Sequence, residues 1–133
     1  MTKFEVNNFK ILIADEDSNF RTTLATTLRF KGFNVEIANG GFHLIHLVEK
    51  LNNFHLIIIH EDMFDMSAVE IISLIRCIKS KTELPILFIS KISDDKSTYN
   101  MILSGANEYI LKSINFKPII NRVHKYFTII ENS

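Results

Sequence analysis

Net charge is the first thing this sequence lacks. Its 133 residues carry 15 Lys and Arg against 15 Asp and Glu, a formal charge of +0 and a sequence pI near 7.0. A balanced chain has no global field to draw nucleic acid or an anionic membrane surface, so this segment is expected to bind neither. Long hydrophobic runs are missing as well. The longest apolar stretches, residues 56–59 and 84–89, are strand-sized, whereas a bilayer span needs ~20 residues. No membrane span or signal peptide is expected, and the polar start, MTKFEVNNFK, reads as a leader into the first strand. One cysteine, Cys77, excludes an internal disulfide. Within a helical pattern it is expected to be a small buried thiol, and it fits a reducing cytoplasm. Two prolines and four glycines fall at punctuation points and supply no hinge or linker. No repeat or low-complexity tract is present. What remains is 47% hydrophobic, enough to close one core, so residues 1–133 are expected to form one domain.

The apolar residues change period along the chain. KILIA (10–14) is a strand-length run closed by Asp15, Glu16 and Asp17; Phe20, Leu24 and Leu28 then form a helical stripe that ends at Gly32. FNVEIA (33–38) is a second strand, followed by an Asn39-Gly40-Gly41 turn. Phe42, Ile45, Val48 and Leu51 have helical spacing, and HLIIIH (55–60) is the third strand. Ser67 and Glu70 make a capping box ahead of the helical face Ile71, Leu74, Ile75 and Ile78. PILFIS (85–90) is a fourth strand, and a helix runs from about Asp94 to Ser104. EYIL is a short fifth strand. The last helix starts near Asn115, tolerates Pro118 in its first turn, and carries Ile119, Val123, Phe127 and Ile130.

Five strands alternating with five helices give an α/β class, a doubly wound parallel sheet covered on both faces. In such sheets the working site lies beyond the carboxyl ends of the strands, where the strand order reverses. Asp15, Glu16, His60, Ser90 and Lys112 stand at those ends.

ILIADED, LFIS and GANEYILK, in this order, make the chain resemble a response-regulator receiver domain over residues 10 to 128. This is the phospho-accepting module of bacterial two-component signalling, and the likeness is to its chemotaxis-regulator type. The resemblance implies a flavodoxin-like (βα)5 fold with strand order 2-1-3-4-5. It implies Asp15 and Glu16 as magnesium-side acids, Ser90 as the hydroxyl that senses the phosphoryl group, Tyr109 as the switch aromatic that moves inward with it, and Lys112 as the phosphate-pairing lysine. His60 falls where the family has its phospho-accepting aspartate. Lys91 stands where a small residue usually leaves room for the phosphoryl group, the loop over residues 63–68 lacks the usual proline and glycine, and Ser113 replaces the proline after the lysine.

Receiver phosphorylation needs a carboxylate that attacks phosphorus while it ligates a divalent cation. Magnesium prefers anionic oxygen, and histidine removes one such ligand. The expectation is therefore an atypical receiver that is not phosphorylated and is not an enzyme. It has no catalytic residue and no cofactor, and Asp15 and Glu16 are only weak metal candidates. A zinc site built from Asp, Glu and His is a weaker alternative. The expected role is a protein-interaction module working through the face of helix four, strand five and helix five, toward a partner or a second copy. Glu108 and Arg122 are the interface candidates, since one charge pair of a known receiver dimer would fall there. Two alternatives stay open: a working phosphorelay receiver using Asp62 or His60, and the amino-terminal receiver of a longer DNA-binding regulator. His60 is expected to hydrogen-bond Asp15 or Glu16 as a lock, Lys112 to pair with Asp15, and the Lys112–Ser113 bond to be trans, because a cis bond before serine costs about 2.5–4 kcal/mol.

Overall fold

The computed structural model describes residues 3–61, 63–92 and 94–133. After a 3-10 turn at Val6–Asn8 come β1 (Lys10–Asp15), α1 (Ser18–Phe30), β2 (Asn34–Ala38), α2 (Gly41–Leu51) and β3 (Leu56–His60). They are followed by α3 (Ala68–Ile78), β4 (Ile86–Ser90), α4 (Asp95–Ser104), β5 (Glu108–Leu111) and α5 (Lys117–Glu131). The strands pair in parallel in the order β2-β1-β3-β4-β5, as expected. Three of the five α-helix starts have a local side-chain cap. Asp17, Ser67 and Asp94 accept the backbone N–H of Phe20, Glu70 and Ser97, which is where free helix amides need acceptors. Among the described residues, no helix is long and apolar enough to cross a membrane.

Because the interiors of β1, β3 and β4 are apolar, their alternate side chains feed two cores. One face packs Leu12, Ile57, Ile59 and Phe88 against Leu44, Val48, Ile71, Ile75 and Met101 of α2, α3 and α4. The other packs Ile11, Ile13, Ile58 and Ile89 against Leu24, Leu28, Ile119, Val123 and Phe127 of α1 and α5. Each fully buried aliphatic side chain adds about 1.5–3 kcal/mol.

Several expectations need correction. In α2 the residues facing the sheet are Leu44 and Val48, while Phe42 is 66% exposed. This helix has two apolar rows, and only contact with the sheet selects between them. In α3, Ile72 takes the buried place assigned to Leu74, which is exposed. Cys77 lies on that same outer side and is an exposed thiol. The polar leader is also more than a leader, because Phe4 packs edge-on against Phe9 and lies 5.8 Å from the ring of Phe127.

Arg76 clamps the far end of the β4 side. Its guanidinium donates to the carbonyls of Gly105 (2.8 Å), Leu84 (2.9 Å), Ser80 (3.1 Å) and Lys79 (3.2 Å) and to Asn107 Oδ1 (2.9 Å). Gly105 has φ +119, and a Cβ there would come within 2.6 Å of the Arg76 side chain. Glycine is therefore required twice at this helix end, for its backbone and for its lack of bulk.

Candidate functional site

The sheet places β1 beside β3 with Asp15 opposite His60, at the point where the chain leaves β1 for opposite sides of the sheet. Asp15 is 1% exposed and His60 5%. The imidazole Nδ1 lies 2.8 Å from Asp15 Oδ1, and the backbone N–H of Asp17 donates to the same oxygen at 2.8 Å. A proton on Nδ1 facing an accepting carboxylate is the arrangement that makes this bond. Among the described residues, Asp15 Oδ2 and His60 Nε2 are buried without a hydrogen-bond partner. Glu61 Oε1 lies 3.5 Å from that nitrogen, near enough for charge to be felt but too far for a good bond. The His60 ring also leans on Phe20, with centroids 5.7 Å apart.

Glu16 turns the other way. Its carboxylate accepts the backbone N–H of Phe64 and holds the loop after β3. Of the two acids proposed to hold His60, Asp15 does so. Lys112 does not reach Asp15: its Nζ is 2.9 Å from Asp17 Oδ2 and 4.4 Å from the centre of the Phe20 ring. Asp15 is sealed inside with His60, whereas the capping carboxylate of Asp17 stands at the rim with one oxygen free for the ammonium. The Lys112 hydrogen bond, seconded by the Phe20 N–H, holds the Asp17 carboxyl down at about 2.

Ser90 Oγ accepts the N–H of Ile92 at 3.0 Å, two residues on. Tyr109 donates its hydroxyl to the Ile92 carbonyl and sets its ring 5.5 Å from Phe88, so it is tied in place at both ends. The Lys112–Ser113 bond is trans, since no cis peptide occurs among the described residues. Glu108 pairs with Arg122 within the chain, and it also takes Lys125 Nζ at 3.2 Å and the Tyr126 hydroxyl at 2.6 Å. Burial pushes the Glu108 carboxyl up, but Tyr126, Lys125 and Arg122 together outweigh it and lower it. Burial first, then Glu108, raises the Tyr126 phenol.

Asp62, the alternative acceptor, lies outside the described residues. A groove of about 530 Å³ opens beside the pocket, lined by Asp17, Phe20, Lys91, Lys112, Ile114 and Phe116. Another of about 410 Å³ lies between α3 and α4, lined among others by Glu61, Val69, Phe88, Met101 and Tyr109. No three His, Cys, Asp or Glu side chains among the described residues are grouped to hold a metal ion. Sequence reasoning missed two partners. Asp17 was legible as an acid closing the first strand, but not as a helix cap or as the seat of Lys112. Glu61 was legible as an acid directly after the third strand, but not as the acceptor of the Lys91 backbone N–H at 2.9 Å.

Comparison with known proteins agrees with this architecture. The family profile of the response regulator receiver domain matches residues 11–124. The chain is 27% identical over 115 residues to the cell cycle transcriptional regulator CtrA of Caulobacter vibrioides, covering 86% of this chain and 48% of that protein. It thus spans about half the length of that curated relative. Among solved structures, a two-component response regulator from Clostridium difficile superposes with a TM-score of 0.83 at 24% identity, over 92% of this chain and 98% of that one. The receiver domain complex of Ssk1 with the histidine phosphotransfer protein Ypd1 from Saccharomyces cerevisiae gives a TM-score of 0.84 at 18% identity, over 93% and 92%.

Proposed function

Because this chain belongs to the response regulator receiver domain family, we propose that it is a receiver of two-component signalling that regulates a protein partner without being phosphorylated. One observation carries this reading. The end of β3, where the family's accepting carboxylate belongs, holds a buried imidazole bonded to Asp15 at 2.8 Å. Phosphoryl transfer needs an attacking oxygen that shares a cation with the neighbouring acids. Here one oxygen of Asp15 is committed to His60 and to the Asp17 N–H, Glu16 is turned onto Phe64, and Lys112 is held by Asp17. This donor set does not fit a divalent cation. The imidazole nitrogen left over is buried beside the Glu61 carboxylate, a poor nucleophile for an anionic donor.

The partner surface we favour is the face of α4, β5 and α5, where Tyr99, Leu103 and Leu111 are exposed. Glu108 and Arg122 are satisfied within one chain, which favours a different protein over a second copy. The Ssk1 receiver, crystallised with a phosphotransfer protein, is a precedent for a receiver engaging a protein. A free, exposed Cys77 fits a reducing cytoplasm.

The test is mass spectrometry after incubation with acetyl phosphate and magnesium. The expected result is an unchanged mass. A gain of about 80 Da, one phosphoryl group, would sink the reading, and Asp62→Asn and His60→Ala would then assign the acceptor. A second reading, the receiver part of a longer DNA-binding regulator, is favoured by the match to 48% of the Caulobacter protein. The length of the native gene product decides it.

A further inference from the structure

Glu61 departs from ordinary backbone behaviour. It follows His60 directly and has φ 51, in the left-handed region that non-glycine residues avoid. Such strain persists only where surrounding contacts over-determine it. At Glu61 the kinked backbone turns the side chain across the ends of β3 and β4. The carboxylate then sits 3.5 Å from His60 Nε2 and accepts the Lys91 N–H at 2.9 Å. Lys91 is the first residue past β4, and the next residue, Ile92, is gripped from two sides: its N–H donates to Ser90 Oγ at 3.0 Å, and its carbonyl takes the Tyr109 hydroxyl. One line of contacts thus runs from Asp15 through His60, Glu61 and the 91–92 backbone to Tyr109 and Phe88.

We infer that the Glu61 carboxylate is a built-in anion that latches the β4–α4 loop, doing permanently what a transferred anion at the end of β3 would do transiently. The chemistry is matched: a carboxylate oxygen on the first amide after β4, in a groove that Ser90 also lines, 3.5 Å from the His60 ring nitrogen. The latch holds Tyr109 packed on Phe88 and keeps one shape for the groove of about 410 Å³ between α3 and α4. A partner reading that face meets a state that the chain does not leave. The inference rests on the unphosphorylated reading, because a chain that accepts phosphoryl would not need its own anion.

Three variants of the full chain, followed by amide NMR, test it. In Glu61→Ala and Glu61→Gly, hydrogen exchange at the Lys91 amide should quicken by about tenfold or more, the ratio expected when one charge-assisted hydrogen bond is lost. The Ile92 amide and the Tyr109 ring should shift with it, and Glu61→Gln should fall between these variants and the wild type. Glu61→Gly guards against simple unfolding, since glycine accepts positive φ freely and its melting temperature should hold or rise while the Lys91 bond is lost. Unchanged Lys91 exchange in all three variants overturns the latch. A change at Lys91 with Tyr109 unmoved overturns it too, by reducing the contact to a local surface bond. The two readings fail separately: a mass gain with acetyl phosphate removes the unphosphorylated state, and a silent Tyr109 removes the latch alone.

Discussion

At the scale of single residues, the contacts made by Asp15 and Asp17 obey different rules. The Asp15–His60 bond is buried, and truncating the ring strands a carboxylate that has lost one of its two donors. His60→Ala should cost about 2–3 kcal/mol, the range for a hydrogen bond to a charged group together with the desolvation left behind. Urea unfolding measures it, and a loss below about 0.5 kcal/mol, the size of an ordinary surface substitution, would mean that the pair is ornamental. The Lys112–Asp17 contact is open to water and speaks through pH instead. The Asp17 carboxyl titrates at about 2 in place of 3.8, so its contribution to stability is fully present above 3.8 and fades as pH falls through about 2. Carboxyl-carbon NMR should find that low midpoint in the wild type and a return toward 3.8 in Lys112→Met. A midpoint that ignores the substitution would deny Lys112 its role.

At the scale of elements, Arg76 is the side chain whose loss should travel farthest. It gathers carbonyls from the end of α3, the following turn and the end of α4, and it meets β5 through Asn107. Arg76→Ala should cost about 3 kcal/mol, and Arg76→Lys should recover little, because an ammonium cannot reproduce the planar fork. Thermal unfolding of both variants checks this; full rescue by lysine would mean that charge alone suffices. The elements themselves were legible in the sequence. The capping box at Ser67, apolar runs of strand length and helical spacing are local signals, and they set the order of the elements, with several ends falling one or two residues from those observed. What stayed hidden was long-range: which of two apolar rows on α2 meets the sheet, that Phe4 returns to the core, and that Lys112 stops at Asp17. The site followed the same division. Asp15 and His60 were readable because strand ends in this fold converge, whereas Glu61 depends on a backbone angle that no composition announces.

For the whole molecule, the tie between β5 and α5 sets an alkaline limit. Tyr126 is buried against Glu108, and both burial and that carboxylate favour the neutral phenol. A phenol whose folded pKa is raised lends stability that is full below the unfolded value of about 10 and is lost as pH climbs toward the folded one. Unfolding free energy should therefore fall in strong alkali, with the α5 side of the sheet loosening first. Tyr126→Phe should flatten that fall at a cost near neutrality of about 1 kcal/mol. An identical alkaline slope in the variant would place the limit elsewhere.

The imidazole proton between His60 and Asp15 is shut away from bulk water, since neither side chain shows more than a few per cent of its surface. Protons on exposed imidazoles swap with solvent too fast to be seen, but this one can leave only when the end of the sheet parts. It should appear as a separate downfield line in spectra taken in ordinary water, and its lifetime should count how often the pocket breathes. That ring would thus serve as the molecule's own clock.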